Sequence, residues 1–145
     1  MNRRAFRERG STLPETVIVM GVLLAVMFGI MDFGRALYTY GFVANAAREG
    51  ARWAIVRGSQ CTQLDHCSAQ SADLQTYVQS LSEGAMTASK IVATLNFPSA
   101  SCTSPPNAPG CVARVTVQYP FTFIAPFVSS LQINMSSTSE MVISN

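Results

Sequence analysis

Few side chains in this chain are equipped for chemistry, and most of them fall in two places. Near the N-terminus, Glu15 is the one acid at the head of an apolar run that carries no charge from Thr16 to Met31. A carboxylate at the mouth of a membrane-length segment is unfavourable unless something pairs with it, so it points to recognition of a cation. After that run come all four cysteines, Cys61, Cys67, Cys102 and Cys111. Their chemistry is either two disulfides or metal ligation. Cys61, Asp65, His66 and Cys67 are all ligand types, but the spacing is not a standard zinc pattern and His66 is the chain's only histidine. No nucleophile motif, paired-carboxylate pattern or phosphate-binding glycine loop is present, so the reading is that the chain is not an enzyme and needs no cofactor or metal.

The apolar run fixes the compartment. Leu13 to Met31 is 19 residues, roughly 28 Å as a helix, enough to cross a bilayer once. Arg3, Arg4, Arg7 and Arg9 precede Gly10 and only Glu8 opposes them. That asymmetry predicts a cytoplasmic N-terminus and an extracytoplasmic remainder. The cysteines then face an oxidising space, which favours disulfides over a metal. Three connectivities are possible. The local pairs Cys61–Cys67 and Cys102–Cys111 are preferred because each brackets a short turn-rich loop.

Three other N-terminal readings are weaker. A cleaved secretory signal wants a small-residue cut site just after a short apolar core, but the first Ala-x-Ala is Ala44-Asn45-Ala46. Asn2-Arg3-Arg4-Ala5-Phe6 is similar to a twin-arginine signal, a short motif in an arginine-rich head. Leu13-Pro14-Glu15-Thr16 looks like a sorting signal, but Val17 replaces the required glycine at the wrong end of the chain.

At 145 residues there is room for one membrane element and one small domain. Without residues 1–10 the chain has six Lys/Arg against seven Asp/Glu. No basic patch remains, which argues against a nucleic-acid partner. From Asp32 to Arg57 there is no proline, and Phe33, Leu37, Tyr40, Ala44, Ala47, Ala51 and Ala54 recur at alternating steps of four and three. This spacing predicts a helical extension with those residues on its packing face, and Glu49–Arg52 as an ion pair on the polar face. Tyr38 and Tyr40 are placed to sit at the membrane interface. Gly58-Ser59 is the expected stop. Within the membrane, Gly21, Ala25 and Gly29 repeat every four residues and form a candidate helix-packing face.

Beyond Gly58 the pattern predicts a helix within Ala69–Thr87, capped by Ser68 or Ser71, and strands at Ile91–Phe97, Val112–Tyr119 and Leu131–Ile143. Val112–Tyr119 is the clearest, with Ala113, Val115, Val117 and Tyr119 on one face and Arg114, Thr116 and Gln118 on the other. Pro120 and Pro126 are expected to interrupt the chain after Tyr119, and Leu131, Ile133 and Met135 to share one face. The fold class is therefore α+β: a long N-terminal transmembrane and spine helix, then a head of one helix and a three-stranded antiparallel sheet. The expected division is a leader at 1–10, a membrane helix at 11–31, its extension at 32–58 and an extracytoplasmic head at 59–145.

Two resemblances sharpen this reading. The basic head, Gly10-Ser11 and Glu15 together resemble the leader and junction of type IV prepilins, in which a membrane peptidase cuts after glycine and a glutamate is the fifth residue of the mature chain. Counted from Ser11, Glu15 is the fifth. Ile30-Met31-Asp32-Phe33-Gly34-Arg35 and Asn45-Ala46-Ala47-Arg48-Glu49-Gly50-Ala51-Arg52 resemble the TadE-like family, minor pseudopilins of tight-adherence (Flp) pilus systems. Met135–Met141 is weakly similar and Pro14 departs from the pattern. The resemblance implies a bacterial inner-membrane protein with processing site Gly10, Ser11 and an assembly role for Glu15, whose carboxylate would meet the new amine of Ser11. It implies a prepilin peptidase, other pilins or pseudopilins and the pilus assembly platform as partners. The alternative is an uncleaved single-pass scaffold whose head binds a protein.

Overall fold

The computed structural model describes residues 12–82, 84, 86–98, 105, 107–125 and 128–144. Helix α1 runs without a break from Thr12 to Ile55, about 65 Å long. Helix α2 (Ser71–Ser80) follows, then a short 3-10 turn (Ala88–Lys90) and three strands, β1 (Val92–Asn96), β2 (Val112–Thr122) and β3 (Gln132–Val142). The sheet is antiparallel in the order β1-β2-β3. The α+β architecture is that expected, with a long apolar helix, a second helix and three strands.

The inward side of β2 is Ala113, Val115 and Val117, all fully buried, and Phe121 beyond them. They pack against the upper part of α1 and against Leu74 and Val78 of α2, which are also fully buried. One free edge of the sheet is covered in an orderly way. Gln75 of α2 accepts from the Ala93 amide of β1 at 2.6 Å and donates to the Ile91 carbonyl, and the Ser71 hydroxyl bonds both the amide and the carbonyl of Leu95. Side chains of the helix thus occupy backbone groups that would otherwise offer an open edge.

Several local expectations are corrected. The spine helix stops at Ile55, before Gly58; the Arg57 amide tightens back onto Ala54, and the Arg57 carbonyl accepts from Ala69. Helix α2 is shorter than Ala69–Thr87, and neither Ser68 nor Ser71 caps it: its N-cap is Gln70, which makes no side-chain cap bond. Ser71 is instead engaged with Leu95. Strand β2 continues through Pro120, which faces Asn134 of β3. The reason is that β1 begins only at Val92, opposite Gln118, so beyond that point the strand has no partner on that side to miss the proline's absent N–H. On the face that Leu131, Ile133 and Met135 are expected to share, Leu131 and Ile133 are exposed and Met135 is half-buried.

Candidate functional site at the junction of helix and head

Helix α1 has two surfaces of different kinds. From Leu13 to Met31 every residue is exposed except Phe28, which is half-buried. This segment holds the long, apolar stretch that makes α1 a candidate membrane span. Gly21, Ala25 and Gly29 lie in it with open space around them: a Cβ at Gly21 or Gly29 would meet nothing within 4 Å. Among the described residues, the small-residue face therefore packs on nothing. Glu15, in the first turn, is exposed and has no side-chain partner among the described residues. Gly10 and Ser11 lie outside the described residues.

From Asp32 upward the same helix turns one side to the head. The buried stripe is Asp32, Thr39, Val43, Ala46, Ala47, Gly50, Ala51 and Ala54. This corrects the predicted face. Ala47, Ala51 and Ala54 belong to it, but Phe33, Leu37 and Tyr40 are 66%, 56% and 62% exposed, one position round the helix from the residues that are covered. Tyr38 and Tyr40 are both exposed above the apolar run. Small side chains are what the upper stripe requires. A Cβ on Gly50 would stand 3.1 Å from both Leu74 Cδ1 and Val115 Cγ1, so α1, α2 and β2 meet there at close range. The Glu49–Arg52 pair is present at 3.7 Å on the outer face.

Sequence reasoning gave Asp32 no role, and it is where the two surfaces meet. Its carboxylate is 4% exposed and accepts from three donors. The Ala125 amide lies at 2.8 Å, the Ile124 amide at 3.0 and 3.1 Å from the two oxygens, and Arg35 Nη1 at 2.9 Å. The Arg35 guanidinium in turn lies over the Phe121 ring, 5.3 Å from its centroid. The backbone bond from Ala125 is the chief cause holding the Asp32 carboxyl below its ordinary value; burial opposes it, and the Ile124 amide and Arg35 add to the lowering. Residues 92 and 93 positions apart are thus clipped together. The β2–β3 connection is fixed to the helix one residue past the end of the apolar run.

The far end of the helix is held separately. Arg57 covers the Trp53 ring at 4.4 Å and donates to the Asp65 carbonyl, Trp53 stacks on Tyr77, and the Ser144 amide donates to the Ile55 carbonyl. Burial, with Glu49 close by, pushes the Tyr77 phenol up.

The cysteine loop sits beside that end. Cys61 and Cys67 are joined as a disulfide with Cα atoms 5.3 Å apart. Of the other ligand types there, His66 Nδ1 lies 3.0 Å from Asp73 of α2, turned to that partner, and Asp65 is engaged through its backbone carbonyl by Arg57. Cys111 is buried and disulfide-bonded; Cys102 lies outside the described residues.

No curated protein and no solved structure matches the chain. The family comparison falls on the element that bears both surfaces and the Asp32 clip: residues 10–52, from the Gly10 junction to Arg52, match the model of the TadE-like protein family, the family whose residues the sequence resembles.

Proposed function

We propose that this chain is a membrane-anchored minor pseudopilin that serves tight-adherence (Flp) pilus assembly or its secretion machinery, in a structural and not a catalytic role. The observation that carries the reading is the uncovered lower half of α1. In a 19-residue apolar stretch with a small-residue face and one carboxylate at its start, every residue but the half-buried Phe28 is left exposed by the described part of the head. Such a surface is unfavourable in water and suits lipid together with the helices of other chains. The family match over residues 10–52 supports the same assignment.

On this reading the chain inserts with its N-terminus in the cytoplasm. A prepilin peptidase removes residues 1–10, cutting between Gly10 and Ser11. Glu15 then pairs with a freed amine, on its own chain or a neighbour, which offsets part of the penalty of holding a carboxylate at the edge of the apolar core. Its partners are other pilins or pseudopilins and the assembly platform. In the extracytoplasmic space Cys61–Cys67 and Cys102–Cys111 are oxidised.

N-terminal sequencing of the membrane form tests the assignment. Ser11 as the first residue supports it, and Gly10→Leu should then leave the full-length chain uncut. Met1, in the presence of the cognate peptidase, would favour the uncleaved scaffold. Glu15→Ala should insert and be cut normally but fail to co-purify with its pilin partners, with Glu15→Asp intermediate. Normal co-purification of Glu15→Ala would remove the assembly role of the carboxylate.

A further inference from the structure

Outside α1, the large apolar side chains that are exposed among the described residues are Leu64, Val92, Ile124, Val128, Leu131, Ile133 and Val142. Four of them fall between 124 and 133, in the β2–β3 connection and the first residues of β3. The clip at Asp32 sets the height of this cluster. It holds the amides of Ile124 and Ala125 against the first residue after the apolar run. Strand β2 travels down α1 toward the membrane, because its start pairs with the end of β3, next to Ile143 and Ser144 and the Ile55 carbonyl, while its end reaches Asp32. A second observation reaches lower. Phe28, one turn before Asp32 and on the same side of the helix, is the one residue between Leu13 and Met31 that is half-buried.

We infer that this end of the head is a second membrane contact, in which Ile124, Val128 and Leu131, with Ile133 beside them, lie in the interfacial layer of the bilayer next to α1. The occupant is lipid because the position is imposed by the chain itself. If residues 13–31 fill the hydrocarbon core, a group bound at Asp32 lies at its edge, and the headgroup layer extends roughly 5–7 Å beyond on each side. The composition suits that layer. From Val115 to Ser139 the sequence has no Asp, Glu, Lys or Arg, while Arg114 and Glu140 form an ion pair higher on the sheet. No charge has to be desolvated when the end of the hairpin enters the interface. The exposed Ser129 and Ser130 between the apolar side chains can bond to headgroups. Apolar side chains that would be misplaced in water are thereby covered, and the head is held at a fixed height and tilt relative to the membrane, as an anchor with two points of contact would hold it.

The inference rests on the reading of residues 13–31 as a membrane span, so its test carries a reporter for each. Full-length protein is reconstituted in phosphatidylcholine vesicles whose acyl chains carry bromine either near the headgroup or deep in the core. Tryptophan is introduced singly and read against the parent, whose one tryptophan is Trp53. Leu131→Trp and, as a second reporter, Ile124→Trp should be blue-shifted and lose most emission to the shallow bromines. Leu23→Trp should lose most to the deep bromines. Val142→Trp, exposed at the opposite end of the sheet where it pairs with Val112, should lose none. If both tip reporters behave like Val142→Trp while Leu23→Trp is quenched, the span stands and the second contact is wrong. If Leu23→Trp is also unquenched, the span reading fails and the contact fails with it.

Discussion

The two halves of α1 use small residues for opposite ends. In the lower half, Gly21, Ala25 and Gly29 leave open space that none of the described residues fills. In the upper half, Ala47, Gly50 and Ala51 are buried against the chain's own sheet and second helix. One continuous helix therefore packs one stretch against its head and leaves the other, a candidate membrane span, exposed. The same motif type, small residues one turn apart, is buried inside the molecule in one case and left exposed in the other. What separates the two is Asp32, whose buried carboxylate marks where the head begins.

The contrast is most sharply probed by enlarging one alanine in each half. Ala51→Leu adds volume where there is none and should destabilise the head by about 1–3 kcal/mol, read as a lower midpoint in thermal unfolding of the detergent-solubilised protein. Ala25→Leu should leave that midpoint unchanged and weaken association with partner pilins, read by crosslinking. Equal midpoints for the two variants would erase the distinction. Gly50→Ala is a finer version of the same test. Its new methyl meets the flexible ends of Leu74 and Val115 at 3.1 Å, and a helix gains roughly 0.5–1 kcal/mol from losing a glycine, so the two effects should nearly cancel. A loss as large as that of Ala51→Leu would mean that α2 and β2 cannot give way.

A smaller effect is expected at the boundary. Asp32→Ala removes the acceptor for two backbone amides, so Ile124 and Ala125 should exchange their hydrogens faster while Val115 and Val117 keep their protection. Uniformly faster exchange would show that Asp32 holds the whole head and not only the end of the hairpin. The pH dependence is set by the sign of the shift. The Asp32 carboxyl is held below its ordinary value, so the clip is fully present above that value and is lost only as pH falls through the lowered one. Exchange at these two amides, corrected for its intrinsic pH dependence, should stay slow through the mildly acidic range and rise below it. Release near neutral pH would contradict the assignment.

How much of the molecule is legible in its sequence differs between the halves. The membrane run and the alternation of Ala113, Val115 and Val117 are patterns of side-chain type, and both can be read directly. The packing face of the upper helix cannot be placed to better than one residue, because alanines at 44, 46, 47, 51 and 54 surround so much of it that apolarity hardly marks an inside. The aromatic residues then draw the expected face toward Phe33, Leu37 and Tyr40, which are exposed. Asp32 is visible as the first charge after the apolar run, with Arg35 three residues on as a local partner, but its other partners are backbone amides, which every sequence carries, brought from 92 and 93 residues away. Nothing in the local spelling announces them. Pro120 reads as a strand breaker on sound local grounds, and only the short length of β1 makes it harmless.

The central claim is that the lower half of α1 meets other proteins while the upper half meets only its own head. Site-specific photocrosslinking in the native membrane tests it most directly, with the photoreactive residue placed in turn at Val22, Leu23 and Val26 and then at Val43, Ala47 and Ala54. Adducts to other pilus components are expected from at least one of the first three positions and none from the second three. Adducts from the upper positions, or none from any lower position while the protein is inserted and its pilus system is complete, would contradict it.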